Sequence, residues 1–393
     1  MINITNENQC CGCQACTVVC PQQCIHMEKG TLGSKIAVAN IVQCIDCGLC
    51  NKVCPMENKT NAVIENQKAY AALAIDGAVR EQGSSGGVFE TLARKVISSD
   101  GVVYGAAFDE NLQLHCTAAT TIDELKALCK SKYLQSDMLA AFSNVKADLD
   151  LGKQVLFVST PCQVSALKLY LKSNYDNLIT VDFFCHGVPS QEFFDECIAY
   201  EDVKNNLHTI SYTFRTKVKN GSTPHYFTKT VEQNGNMLTK TDYYFKSLFY
   251  TAFQQYVTLR ESCYACPYAT RYRNSDITIG DFHDIDRYIK GINRFDGVST
   301  VVLNTEKGTD LFKKVLDKLQ IFDVDIEQLI TDKTIFSGAT PRPKHRDDFV
   351  KCYEEKGILG LEEKYLSAKY YRKNQLYYDM PIGIRKLLKK IIK

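Results

Sequence analysis

Eight of the chain's 18 cysteines repeat one spacing. Cys10, Cys13, Cys16 and Cys20 run into Pro21, and Cys44, Cys47, Cys50 and Cys54 run into Pro55, so C-x2-C-x2-C-x3-C-P occurs twice. Three closely spaced thiolates can wrap one face of an Fe4S4 cube, while the fourth, past a turn fixed by proline, reaches a second cube. The pattern predicts two [4Fe-4S] clusters, one on Cys10, Cys13, Cys16 and Cys54, the other on Cys44, Cys47, Cys50 and Cys20. Zinc also takes four thiolates, and an even cysteine count can signal a disulfide framework. Neither gives a reason for the longer third spacing plus proline in both halves. Cys11 and Cys24 lie outside the pattern and read as small hydrophobes or thiols near a cluster.

Three further features could carry chemistry. GSSGG (83–87) opens a helical pattern, where free backbone N–H groups and the helix dipole could receive a phosphate, although such stretches are often only turns. Cys162 and Cys185 end predicted strands and Cys263 and Cys266 form a C-x2-C pair, which leaves a third Fe–S site, a zinc site or buried thiols all open. His186, beside Cys185, could donate a proton or be a hydrogen-bonded structural histidine. Lys132, Arg215, Arg260, Arg271 and Arg273 could bind phosphate or carboxylate.

Around these residues the chain divides into an N-terminal cluster module (1–60), two α/β regions (68–155 and 156–315) and a helical, basic extension (316–393). The module's apolar pieces are short, so metal must replace the core that so small a unit lacks. ENKTNAVIENQ (57–67) reads as a linker. YAALAI, VVYGAAF, QVLFVS and LITVDFFCHG read as buried strands alternating with helices, one opened by a capping box from Thr121 to Glu124. That alternation predicts a mainly parallel sheet with ligands beyond the carboxyl ends of its strands. After residue 205 the pattern turns β-like, and the aromatics of GNMLTKTDYYFKSLFYTAF suit a core. The basic end, IRKLLKKIIK, reads as a solvated helix or as a cationic amphipathic face.

The charges nearly cancel, with 47 Lys+Arg against 45 Asp+Glu, so nothing global favours nucleic acid. No apolar leader follows Met1 and no apolar run is long enough to span a membrane, which predicts a reducing, cytoplasmic setting.

GSSGGVFETLARKVISSDGVVYGAAF, SKYLQSD, VLFVSTPCQVSALKLYL, ITVDFFCHGVPSQ, FRTK, LRESCYACPYA and RNSDITIGDF, in this order behind a double ferredoxin motif, resemble the coenzyme F420 hydrogenase/dehydrogenase beta-subunit family. The resemblance runs to about residue 310 and is strongest to the ferredoxin-fused bacterial form often found with polysaccharide-biosynthesis enzymes. It implies an iron–sulfur flavoprotein in which the α/β core holds FAD near Ser84, Ser85, Gly86, Gly87, Lys132, Thr160 and Asp281. It also implies a third [4Fe-4S] cluster on Cys162, Cys185, Cys263 and Cys266, while His186 is the candidate catalytic residue by its place beside Cys185. This chain has His283 where relatives commonly carry tryptophan after Gly-Asp-Phe. The resulting expectation is a reductase taking electrons from reduced ferredoxin or a similar donor through the clusters to FAD and a small organic substrate. The alternative is an electron-transfer subunit that docks on a partner enzyme, and a homo-oligomer is compatible with either.

Overall fold

The two halves of the cysteine repeat fold alike. The computed structural model describes residues 1–59, 67–218, 225–283, 285, 292, 297–330, 335–381 and 383–385. Left-handed backbone recurs at matching positions, Gly12 and Gln14 (both φ 65°) in one half, Asp46 (φ 51°) and Gly48 (φ 70°) in the other. A short helix follows in each, α1 (Ala15–Val19) and α2 (Leu49–Lys52). Between them β1 (Ile25–Lys29) and β2 (Lys35–Ala39) pair antiparallel. Of the 57–67 linker, residues 60–66 lie outside the described residues.

Beyond it, β3 (Lys68–Ala74) leads into α3 (Gly77–Gln82), α4 (Val88–Ile97), β4 (Val102–Phe108) and β5 (Leu114–Ala119). Next come α5 (Ile122–Leu128), α6 (Ala141–Asp150), β6 (Val155–Val158), α7 (Pro161–Leu171), β7 (Leu178–Phe183) and α8 (Gln191–Asn205). A meander of β8 (His208–Thr216), β9 (Tyr226–Gln233) and β10 (Asn236–Tyr243) precedes α9 (Leu248–Gln254). The chain then returns through β11 (Ile277–Asp281), β12 (Ser299–Leu303), α10 (Glu306–Lys313) and β13 (Leu319–Val324). It closes with α11 (Arg346–Tyr365) and α12 (Ala368–Asp379).

Eight strands form one sheet in the order β13-β3-β12-β11-β7-β6-β4-β5. Its centre is parallel, β4 to β6 to β7 to β11. Both flanks are antiparallel. The sheet is therefore mixed rather than mainly parallel, because β5 returns from β4 by a direct hairpin and β3, β12 and β13 extend the other edge. The sheet also crosses the expected boundary at residue 155 and draws β13 from the stretch read as helical.

Helices cover both faces. Phe142 and Val145 of α6 and Val164 and Leu167 of α7 bury one, and the same apolar cluster takes in Ile2, Ala15, Ile25 and Val53 of the N-terminal module. Leu92 and Val96 of α4, Leu125 of α5 and Phe312 of α10 bury the other. The capping box at Thr121 and Glu124 is present. A third core joins the meander to α8, α9 and α11, where Phe194 meets Phe249 edge to face with ring centroids 5.0 Å apart. Asn234 and Gly235, both at positive φ, make the two-residue turn between β9 and β10. Among the described residues no helix is long and apolar enough to cross a membrane. The basic end IRKLLKKIIK is described only as far as Arg385.

Gly86 sits where β3 and β12 leave no room, since an added Cβ would stand 2.4 Å from the Ala72 carbonyl oxygen. Gly86→Ala is expected to cost about 2 kcal/mol by overpacking. Gly48→Ala, strained only by its φ of 70° with open space around it, should cost about 1 kcal/mol. Urea midpoints of both variants under the parent's anaerobic conditions check the order.

Candidate functional site

Cys10, Cys13, Cys16 and Cys54 line one small concavity, with about 300 Å³ of empty volume when the open solvent at its mouth is included. Cys44, Cys47, Cys50 and Cys20 line a second of about 340 Å³. Each therefore takes three cysteines from one half of the repeat and the last from the other. Backbone N–H groups donate to the sulfurs: Gly12 to Cys10 (3.4 Å), Asp46 to Cys44 (3.4 Å) and Ile2 to Cys50 (3.2 Å). Burial, then the charges of Cys10 and Cys54, pushes the Cys16 thiol up to about 12. Crowded, buried sulfur with N–H donors aimed at it suits thiolates bound to a cationic cluster better than free thiols. Among the described residues no three His, Cys, Asp or Glu side chains converge as on a single ion. A cubane spreads its thiolates over separate irons, so it does not require that convergence. Cys11 lines the first concavity and Cys24 the second, with Cys24 Sγ 3.5 Å from Cys20 Sγ.

The two concavities face different surroundings. The first is pressed against the sheet domain by Arg260, which donates to the carbonyls of Lys35 (2.6 Å) and Cys10 (3.2 Å) and to Gln135 Oε1 (2.7 Å). Gln135 in turn donates to the carbonyls of Cys11 and Gly12, both at 2.8 Å. A Cβ on Gly12 would stand 2.6 Å from the Arg260 guanidinium, so this approach requires glycine. Gln14 reaches across to Asp137 (2.8 Å) and accepts from the Met138 N–H (2.6 Å). Tyr268 donates to the carbonyl of Pro55 (2.7 Å). The second concavity opens outward: Cys47 is exposed, beside Val42 at 95% and Ile41 at 73% exposure.

Cys162 is the second residue of α7, directly after β6, and Cys185 lies two residues beyond β7. Since β6 and β7 are adjacent and parallel, both cysteines emerge at carboxyl ends of the sheet. Cys263 and Cys266 belong to and cap the single turn Glu261–Ala265. The four come together: burial, then the charges of Cys263, Cys162 and Cys266, holds Cys185 well above the usual thiol range. Burial first, then the other cysteines, pushes Cys263 up to about 12 and Cys266 to about 11. Gly187 (φ 120°) allows the approach, for its Cβ would lie 2.8 Å from that of Cys263. Cys11 stands within hydrogen-bonding reach of both Cys13 and Cys162, so it touches the first concavity and this third set at once.

The candidate flavin residues sit nearby, largely engaged with the protein. Ser84 Oγ accepts from the Ser131 N–H (2.7 Å), Ser85 Oγ donates to the Val298 carbonyl (2.9 Å), and the Gly86 N–H donates to Ser299 Oγ (3.0 Å). Gly87 (φ 82°) precedes the first turn of α4. Thr160 precedes α7, donates to Gln163 (3.0 Å) and lies 3.3 Å from Cys162 Sγ. Lys132 Nζ donates to the carbonyls of Cys129 (2.5 Å) and Ala127 (2.7 Å), and burial lowers its pKa to about 7.

Asp281 pairs with Arg215 at 2.5 Å. Burial pushes the Asp281 carboxyl up, but the Arg215 charge and hydrogen bond, with His283 and Ser85, outweigh it and leave the carboxyl below its ordinary value. Arg215 has φ 56° at a bulge in β8, which turns its side chain inward. Tyr133, His225 and His283 complete this polar cluster. Burial, then Arg215, lowers His225 to about 4, and burial, then His283, lowers His186. The other basic candidates are committed elsewhere, Arg271 to Glu327 and Arg273 to the buried Asp182 (3.5 Å). Sequence reasoning did not single out Tyr133, Gln135, His225 or Tyr268, although SKYLQSD and LRESCYACPYA contain three of them.

Residues 152–328 match the family described as the C-terminal part of the beta subunit of coenzyme F420 hydrogenase/dehydrogenase. Twelve chains of solved structures match. One is from the xenon-derivatised F420-reducing [NiFe] hydrogenase complex of Methanosarcina barkeri, at 16% identity over 75% of this chain and 90% of that one, with a TM-score of 0.42. No curated protein matches.

Arg260→Ala strands the Cys10 and Lys35 carbonyls and should cost about 3 kcal/mol. Amide hydrogen exchange over residues 10–16 should accelerate relative to the β4–β6 centre. Unchanged exchange there would show that Arg260 does not hold the module.

Proposed function

Residues 152–328 belong to the coenzyme F420 hydrogenase/dehydrogenase beta-subunit family through its C-terminal region, and from this premise we propose that the chain is an electron-transferring iron–sulfur flavoprotein of an oxidoreductase. The observation that carries the reading is the order of the three cysteine sets. An outward concavity, a docked concavity and a set at the carboxyl ends of β6 and β7 follow one another, with Cys11 between the last two. Two [4Fe-4S] clusters fit the concavities, and a third fits Cys162, Cys185, Cys263 and Cys266. Electrons enter from reduced ferredoxin or a similar carrier at the exposed Cys47 side, in a cytoplasmic, reducing compartment.

FAD fits beside the third set. The first-turn N–H groups of α4, presented by Ser84, Ser85, Gly86 and Gly87, suit its phosphates, and Glu90 in that turn is balanced by Arg94 at 2.6 Å. Lys132, Thr160 and Asp281 are the further candidates to contact it. When bound, FAD supplies the exchange between single electrons and a hydride equivalent. The chain's own residues do the rest: the Arg215–Asp281 pair fixes a charged wall, and His186, kept neutral at pH 7 by its lowered pKa, holds a proton beside Cys185. The acceptor is a small organic molecule, with a polysaccharide-pathway intermediate as the candidate class. A second reading, an electron-transfer subunit that docks on a partner enzyme, is favoured by Ile45, which lines the concavity and is exposed, and by the exposed Ile41 and Val42 shortly before Cys44 in the chain.

Iron, acid-labile sulfide and flavin per chain on anaerobically purified protein test the proposal: about twelve irons and one FAD are expected. Iron without flavin would leave only the electron carrier. Cys266→Ser should lower the iron count to about eight while sparing the other two spectra. Cys20→Ser should alter the electron paramagnetic resonance of the cluster on Cys44, Cys47 and Cys50. If the cluster on Cys10, Cys13 and Cys16 changes instead, the crossed assignment is wrong.

A further inference from the structure

Helix α12 carries two unlike faces. On one, Tyr378 lies against Phe245 with ring centroids 5.4 Å apart and donates its hydroxyl to that of Tyr244 (3.2 Å). On the other, Lys369, Arg372, Lys373, Leu376, Tyr377 and Met380 recur at helical spacing as one continuous surface. The three cations are exposed, Leu376 is 65% exposed, and no carboxylate stands among the six. Arg385 lies over the rings of Tyr377 and Tyr378, at 5.9 and 5.7 Å.

Charge is just as uneven along the sequence. Eight of the 47 basic residues but only one of the 45 acidic ones fall from Leu366 to Lys393, so that stretch is +7 on a chain of net +2, and the remainder is −5.

We propose that the outer face of α12 rests on the surface of an anionic phospholipid bilayer. A row of three cations, against which α12 sets only Asp379 at its C-terminal end, complements anionic headgroups, and an aliphatic, an aromatic and a thioether on the same face suit the boundary between headgroup and acyl chain. The inner tyrosines hold the helix against the third core, so the face is formed before it meets lipid and binding carries no folding cost. The negative remainder of the molecule is repelled by the same bilayer, which orients the protein with α12 down.

Co-sedimentation of the full chain with vesicles tests this without recourse to iron, flavin or turnover. Binding is expected to vesicles of phosphatidylcholine mixed with phosphatidylglycerol, not to phosphatidylcholine alone, and to be lost at high salt. The triple variant Lys369→Glu, Arg372→Glu, Lys373→Glu should bind about tenfold more weakly or less, with an unchanged circular dichroism spectrum because these side chains are exposed. Lys369→Gln alone should give a smaller loss in the same direction. No binding to the mixed vesicles, or equal binding to both kinds, overturns the proposal. So does retention on a soluble polyanion without vesicle binding, which would make the face a site for an acidic polymer. A concentration-dependent dimer abolished by the triple variant overturns it as well, by giving the face to a second copy.

Discussion

A guanidinium buried against carbonyl oxygens holds this molecule's two parts together. Arg260 is 2% exposed and meets the carbonyls of Cys10 and Lys35 and the amide of Gln135, so its hydrogen bonds are largely met while no carboxylate among the described residues pairs with its charge. A buried cation without an anion is expensive. Arg260 also faces the third cysteine set, where Cys11 and burial raise the Cys162 thiol and burial raises that of Cys263 while Arg260 acts as a lesser influence in the opposite direction. The residue that meets the N-terminal module therefore also stands within electrostatic reach of that set.

The repeat inside that module has diverged by position. Where one half has Gly12 to admit Arg260 and Gln14 to reach Asp137, the other has Asp46 and Gly48, and its stretch from Ile41 to Cys47 is largely exposed. The same backbone reversals serve both, so the difference lies in side chains that touch the sheet domain. One half has become an interface and the other an opening.

Much of this was legible because it is local. The doubled C-x2-C-x2-C-x3-C-P spacing, the capping box at Thr121 and the apolar runs of β4, β6 and β7 each declare themselves within a few residues. What could not be read rests on long-range pairing. β5 is short and alternates burial, β13 joins β3 across most of the chain, and both made mixed a sheet whose central alternation suggested a mainly parallel one. Arg215, Arg260, Arg271 and Arg273 looked available for ligands, but their partners, Asp281, the Cys10 carbonyl, Glu327 and Asp182, are remote in sequence. Tyr133 and Tyr268 carry no local signal, and only the fold sets one beside the Arg215–Asp281 charges and the other near Cys11 and Cys162.

The crossed lining of the two concavities bears on how the module comes to exist at all. Cys54 completes the space begun by Cys10, and Cys20 the space begun by Cys44, so each half is the lid of the other's container. Neither half of the repeat lines a complete site on its own. The first concavity is closed only when the chain as far as Cys54 is in place, and the second only when Cys20 has been brought beside Cys44.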